Sequence, residues 1–256
     1  MTPTSGHTRT VSRGIAGLIV AAWLATAGCS DDAPAAQPQG QDCVIGLPAD
    51  AQMFPPVIHT GFNGRDDFLG PISLNFVPDS WKVADPSIAT VEQHEKCNPV
   101  FRGIGALVHP KKAGQTTITA VKNGMEFTLE LYVADYTADE IDLGKKRYYE
   151  PENPSATRRA CASCHQQPGG ADHSPLAIGF YDDAIVRAVA TTGMSPKCVS
   201  QVSGSECVCG GQDPGCYEIP EEQRVLNVPG GHSWEFTATE LDAIVPYLRS
   251  LTPKGL

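Results

Sequence analysis

The pentapeptide CASCH at residues 161–165 constrains this chain more than any other feature of its sequence. Two cysteines separated by two residues and followed directly by a histidine form the attachment signature of c-type haem. The spacing has a mechanical reason. Cys161 and Cys164 would form thioether bonds to the two haem vinyl groups, and His165 would lie under the iron as its proximal ligand. With nine cysteines and seven histidines in 256 residues, chance accounts for about 0.009 such matches. The motif therefore predicts one covalently bound haem c per chain.

The same two cysteines also match a thioredoxin-like redox pair or half of a zinc site. Neither role needs a histidine at position 165, and no second CxxC in the chain pairs sensibly with the first. Haem attachment accounts for all three motif residues, whereas either alternative accounts only for the two cysteines.

The N-terminus has the features of an export signal. Arg9 and Arg13 form a short basic region, and the apolar run at 14–27 is too short for a comfortable membrane span. The run ends in TAGC at 26–29, which resembles a bacterial lipobox, although threonine stands where leucine is usual. We expect residues 1–29 to be a signal peptide with a lipid on Cys29. The protein would then be a membrane-anchored lipoprotein facing the periplasm or the cell surface. The alternative is ordinary cleavage after a small residue, which would leave Cys29 free.

The remaining cysteines form an even set. Of nine cysteines in the chain, one is assigned to lipid and two to haem, and disulfides are the expected use of the others outside the cytosol. The disulfide candidates are Cys43, Cys97, Cys198, Cys207, Cys209 and Cys216.

Charge and composition exclude some partners. The formal net charge is −10 at pH 7, which argues against nucleic acid and against adhesion to an anionic membrane by charge. The segment 30–42 contains no large apolar residue and predicts a flexible tether. Membrane contact is therefore expected through the lipid anchor alone.

Residues 43–135 have the pattern of β structure. Strand-like stretches at 72–77, 116–121 and 126–133 alternate or are β-branched, and Asn123-Gly124 predicts a hairpin turn. The stretches 81–91 and 113–120 resemble segments of bacterial immunoglobulin-like group 2 domains. The resemblance covers roughly 55–135 and implies a β sandwich of a kind that usually serves as a spacer or binding module. The scattered histidines of this region, His59, His94 and His109, are interpreted as loop residues.

From residue 136 the pattern becomes helical. Capping boxes at 137–140 and 237–240 predict two helix starts, and Pro246 predicts a kink in the last helix. A middle helix is expected at 182–192. The first and last helices resemble those of class I cytochromes c, which cross closely at a glycine beside aromatic residues, as Gly144 would here. The predicted fold class is therefore an all-β immunoglobulin-like sandwich followed by an all-α cytochrome c fold at 136–256.

The resemblance to class I cytochromes c also implies roles for single residues. The carbonyl of Pro175 would accept a hydrogen bond from Nδ1 of His165. The family usually supplies a methionine as distal ligand from the loop before the last helix, but no methionine follows Met194. His232 lies in that loop and is the predicted distal iron ligand; the alternatives are Met194 and an open or water-bound iron. His173 is interpreted as a surface residue.

The insertion at 195–220 departs from the family, because it is glycine-rich and holds four cysteines. We interpret it as a disulfide-rich loop bordering the haem. The expected function is one-electron transfer to redox partner proteins by an electron carrier that is not an enzyme. The alternatives are a peroxidase-like or gas-binding haem enzyme with an open distal site, and a redox-sensing or partner-binding lipoprotein that uses its β domain.

Overall fold

The computed structural model describes residues 47, 49–65, 68–98, 103–167, 172–192, 197–200, 216–218 and 234–253. These residues belong to one compact unit of the chain, Asp31–Leu256. Several predictions fall outside the described residues. They concern the signal segment, the tether, Cys29, Cys43, Met194, Cys207, Cys209 and His232.

Most of the described chain is β structure. The strands before the first helix are β1 (Met53–Phe54), β2 (Val57–Phe62), β3 (Gly70–Leu74), β4 (Ser80–Val83), β5 (Ala89–Asn98), β6 (Gly103–Pro110), β7 (Gly114–Lys122) and β8 (Met125–Asp135). They form two four-stranded sheets with the orders β1-β3-β6-β5 and β2-β8-β7-β4. The strands pair antiparallel except for β2 and β8, which are parallel.

The core of this region follows from alternation along the strands. In β8, Leu129, Leu131 and Val133 are buried, whereas the residues between them are only partly buried, as the period-2 pattern predicts. They join a cluster that includes Ile72 and Ile118. The predicted hairpin turn is confirmed. Asn123 and Gly124 have φ angles of 51° and 77° and separate the paired residues Lys122 and Met125, as type I′ turns require.

The part of the chain after residue 136 holds α1 (Ala138–Tyr149), α2 (Ala162–His165), α3 (Pro175–Ile178), α4 (Asp183–Thr192) and α5 (Ala238–Arg249). It also holds a small antiparallel pair, β9 (Cys198–Ser200) and β10 (Cys216–Glu218).

The predicted fold class, a sandwich followed by an all-α cytochrome c fold, is wrong. The described residues are mostly β-sheet with a few short helices, and no all-α cytochrome c domain is evident among them. Capping boxes identify where helices begin, but they do not show how much of the chain between them is helical. The stretch 150–182 is rich in proline, glycine and serine, residues with poor helix propensity. Where the structure describes this stretch, its helices are the four-residue α2 and α3.

The two twelve-residue helices α1 and α5 begin and cross as predicted. Thr137 and Thr237 both form complete capping boxes, with Glu140 and Glu240 respectively. A Cβ atom at Gly144 would collide with the carbonyl oxygen of Ala243 and lie 2.7 Å from Cβ of Tyr247. Glycine is therefore what lets the two backbones approach. Helix α5 runs through Pro246 to Arg249.

A buried polar network joins the helices to strand β2. The guanidinium of Arg249, which is 1% exposed, donates to the carbonyl oxygens of His59 at 2.6 Å and Tyr181 at 2.7 Å. It also pairs with Asp183 at 2.8 Å, and the hydroxyl of Tyr136 donates to the same carboxylate at 2.7 Å. Strand and helices are thus connected through charge-assisted hydrogen bonds.

The three histidines expected in loops all lie in strands instead. His59 is in β2, His94 is in β5 and His109 is in β6. His59 is only 8% exposed and stacks on Tyr132 with ring centroids 5.0 Å apart. Burial, followed by the nearby Arg249 cation, lowers the pKa of His59 to about 3. The prediction was wrong because strand β2 is covered by the helical part of the chain, a contact between distant segments.

Candidate functional site

The CASCH motif forms one helical turn. Cys161 precedes α2 with helical dihedral angles, and its carbonyl accepts hydrogen bonds from the backbone N–H groups of Cys164 at 3.2 Å and His165 at 3.1 Å. Residues three and four positions apart lie on the same face of a helix. The turn therefore brings both cysteines and the histidine to one side.

A largely apolar cavity lies beside this turn. It is partly open to solvent, and its empty space amounts to about 710 Å³ when that open part is included. Aromatic and aliphatic side chains form most of its wall, together with Cys161, Asp172 and His173. The apolar members are Tyr148, Ala177, Ile178, Tyr181, Val186, Val189, Ala190, Trp234, Phe236, Ile244 and Leu248.

The two motif cysteines differ in state. Cys161 is a free thiol in the cavity wall, and burial raises its pKa although the nearby Arg147 cation acts in the opposite direction. Cys164 is disulfide-bonded, and so is Cys198 in β9. Among the other disulfide candidates, Cys97 lies in β5 and Cys216 in β10.

Two histidines meet beside the cavity. The rings of His165 and His173 are 3.5 Å apart between centroids and tilted by 31°. His173 was expected on the surface, but it is half-buried and belongs to the cavity wall, where its ring meets the edge of Tyr148 at 6.0 Å. The prediction missed this residue because it judged His173 only by its distance along the chain from the motif.

Pro175 is the first residue of α3 and is buried. Its carbonyl accepts a hydrogen bond from the backbone N–H of Gly179 at 2.9 Å, and a carbonyl oxygen has a second lone pair. The bond from His165 that the sequence predicts is compatible with this arrangement and stays a prediction. Just before Pro175, the carboxylate of Asp172 accepts hydrogen bonds from the backbone and hydroxyl of Ser174, both at 2.9 Å.

Arg147 ties together two segments that border the cavity. The side chain is 1% exposed. It donates to the carbonyl of Arg159 at 2.9 Å, just before the motif, and to the carbonyl of Glu235 at 3.2 Å, just before α5. Its guanidinium also lies 4.3 Å from the ring centroid of Phe236, within the range of a cation–π contact.

Arg158 makes a second connection between the same segments. It forms an ion pair with Glu240 of α5 and donates to the carbonyls of Glu152 at 2.6 Å and Glu235 at 3.4 Å. Burial works against the ionised form of Glu240, but hydrogen bonds and the charge of Arg158 hold its pKa below the usual value. Arg147 and Arg158 were not identified from the sequence, where nothing marks their partners.

Within the described residues, no group of three or more histidine, cysteine, aspartate or glutamate side chains is arranged to hold a metal ion. In the same part of the chain, no helix has the length and apolar character needed to cross a membrane. The predicted iron site would in any case take only His165 from the described residues, because His232 and Met194 lie outside them.

Comparisons with known proteins assign no family. No family model matches the chain, and no curated protein matches it. Among solved structures, domains 4 and 5 of the S-layer protein SbsC align with 33% of this chain and 50% of that chain, at 17% identity and a TM-score of 0.25. The alignment thus spans half of the solved chain, and likeness at this level carries no argument about function.

Proposed function

We propose that this protein is an exported c-type cytochrome that carries single electrons and is not an enzyme. The observation that supports the proposal most is that Cys161 of the CASCH motif lies in the wall of a largely apolar cavity that is partly open to solvent. Covalent haem needs both a nucleophilic cysteine and an adjacent space for an apolar macrocycle. The motif supplies the cysteines, and the apolar surroundings of Cys161 support the proposal.

Different residues of the chain would attach the haem and bind its iron. Cys161 and Cys164 would attach it, His165 would be the proximal ligand, and His232 the distal ligand, with Met194 as the alternative. Bound haem supplies an iron that exchanges one electron. The aromatic and aliphatic wall would keep water from the group, and burial of this kind is one of the means by which a protein sets a reduction potential.

The state of Cys164 makes the proposal sharply testable. A disulfide and a thioether at the same sulfur exclude each other. Haem attachment therefore requires that an external dithiol reductant first donate two electrons to the Cys164 disulfide and free the thiol. The competing role of a thiol redox pair is not favoured, because Cys164 is disulfide-bonded while Cys161 is a free thiol, so the two cysteines are not paired with each other.

The experiment is intact-protein mass spectrometry after expression in a bacterium that attaches haem during export. The wild type should carry one haem that survives denaturation. Cys161→Ala and Cys164→Ala should each lose one thioether bond, and Ser163→Ala, inside the same motif, should load normally. A wild-type protein without haem, and with Cys164 still in its disulfide, would contradict the proposal.

Location is tested separately. The apolar run at 14–27 and the lipobox-like end support a lipid on Cys29, which would anchor the mature protein in a membrane. Cys29→Ser should move the protein from the membrane fraction to the soluble fraction. If the variant stays in the membrane fraction, the lipid on Cys29 is not the anchor.

A further inference from the structure

Three tyrosine rings lie between the cavity and the protein surface. Tyr148 belongs to the cavity wall and is buried. Its ring centroid is 5.2 Å from that of Tyr149 and 5.2 Å from that of Tyr247. Tyr149 and Tyr247 are 6.3 Å apart. Aromatic rings at such separations are in direct contact, and we call these three residues the tyrosine cluster.

The cluster ends at solvent. Tyr149 is 38% exposed and is one of the few large hydrophobic side chains exposed in the described part of the chain. Its hydroxyl accepts a hydrogen bond from the side chain of Gln166, the residue after the predicted iron ligand His165. On the other side, Tyr148 meets His173, whose ring packs on His165. A continuous series of ring contacts therefore leads from the motif to the surface.

We propose that the tyrosine cluster is the route by which electrons leave or reach the site, with Tyr149 as the point of contact for the redox partner. This inference rests on the proposed function. Electron tunnelling weakens steeply with the distance between donor and acceptor and is favoured by contacting π systems. A partner that places its own redox centre against the exposed ring of Tyr149 would therefore couple to the site through the cluster.

The tyrosines serve as a bridge and are not themselves oxidised. One electron passes from the reduced protein to a one-electron acceptor, no bond forms or breaks, and each phenol keeps its proton. Burial raises the pKa of both Tyr148 and Tyr247, which is consistent with neutral phenols throughout. A weak and transient partner would suffice, since small interfaces are typical of redox encounters.

The test measures the rate at which ferricyanide oxidises the reduced, haem-loaded protein. Tyr149→Leu removes the ring, Tyr149→Phe keeps it, and neither variant changes the charge that the anionic probe meets. The control is Phe54→Leu, because Phe54 is 50% exposed, packs on Phe180 and lies outside the cavity wall. We expect a several-fold loss of rate in Tyr149→Leu alone.

Haem content, absorption spectrum and midpoint potential are measured on the same samples and should be equal in all four proteins. If Tyr149→Leu is oxidised by ferricyanide as fast as the wild type, the proposed route is wrong, whereas the proposed cytochrome function is unaffected. A loss of rate that comes with a shifted potential would also overturn it, because Tyr149 would then act by shaping the site. If the wild type carries no haem, the proposed function is contradicted, and the proposed electron route is contradicted with it.

Discussion

At the scale of single residues, the neighbours of a side chain decide its chemistry more than its type does. His59 and His109 both lie in β strands, yet His59 is buried against Tyr132 and His109 pairs with Glu92 near the surface. Cys161 and Cys164 lie on one helical turn, yet one is a free thiol and the other is in a disulfide.

His59 should make the protein less stable in acid. Burial and the Arg249 cation lower its pKa from 6.5 to about 3, so between these values the unfolded chain binds a proton that the folded chain does not. The free energy of unfolding should therefore rise with pH across this window, by at most about 1.4 kcal/mol per pH unit from this group. Urea unfolding at several pH values measures the slope.

The matched variants are His59→Gln and His109→Gln. The first should flatten the slope between pH 3 and 6.5, because the unfolded-state proton uptake at position 59 is gone. The second removes a histidine near the surface, outside the contact between strand β2 and the helices, and serves as the control. Equal slopes in His59→Gln and the wild type would show that His59 does not control acid stability.

If the proposed haem is attached, His232 should control access to its iron. We expect His232→Ala to give a high-spin haem that binds CO, while haem attachment stays intact, because attachment depends on the cysteines. Met194→Ala should leave the optical spectrum nearly unchanged. Bis-histidine ligation should also place the potential below that of histidine–methionine cytochromes. A sulfur-to-iron charge-transfer band in the oxidised wild type would assign the ligand to Met194 instead.

At the scale of elements, the crossing of α1 and α5 depends on the absence of one side chain. Gly144 lies directly against Ala243 and Tyr247, and the aromatic and aliphatic side chains around it include Tyr148, Ile244 and Leu248. Because the same two helices contribute to the cavity wall, their separation also decides the width of the cavity.

Gly144→Ala should therefore destabilise the protein. In an exposed helix this change would stabilise by up to about 1 kcal/mol, since alanine is the better helix former. Here the added methyl group would have to push the helices apart, at a cost of about 1–3 kcal/mol. Thermal unfolding shows whether the melting temperature rises or falls in the variant. Lys145→Ala, at an exposed position of the same helix, is the control and should be nearly neutral.

At the scale of the whole molecule, the β sheets and the helices are joined by buried polar contacts. Arg249 reaches the carbonyl of His59 across 190 positions of sequence, and the backbone N–H of His59 donates to the carbonyl of Gly179 at 2.7 Å. Burial works against ionisation of Asp183, but Arg249 and the hydroxyl of Tyr136 hold its pKa below the usual value. The ion pair should therefore persist at neutral pH.

Asp183→Asn should lower the stability of the β sheets and of the helices together. The variant leaves the guanidinium of Arg249 buried without its counter-ion, at a cost of about 3 kcal/mol. Glu126→Gln breaks the exposed pair with Lys82, where both side chains are more than half exposed, and should cost less than about 1 kcal/mol. Denaturant unfolding followed by tryptophan fluorescence and by circular dichroism should show one shifted transition. Two separate transitions would mean that the β sheets and the helices unfold independently.

The sequence alone was sufficient for features that depend on a few neighbouring residues. Both capping boxes, the Asn123-Gly124 turn and the helix at 183–192 follow from local hydrogen bonding and periodicity. The close approach of α1 and α5 at Gly144 was also predicted, from a family resemblance, and the structure confirms that contact. The haem attachment prediction rests on the same kind of local evidence, since it depends on five consecutive residues.

The tertiary structure decided what depends on contacts between distant segments. Three features require partners that are far away in the chain. They are the place of His173 in the cavity wall, the connections made by Arg147 and the burial of His59. The predicted all-α second domain failed for a different reason, because the capping boxes mark only helix starts and the stretch 150–182 is rich in residues with poor helix propensity. Side-chain periodicity shows which face is buried, and only the folded chain shows what that face meets.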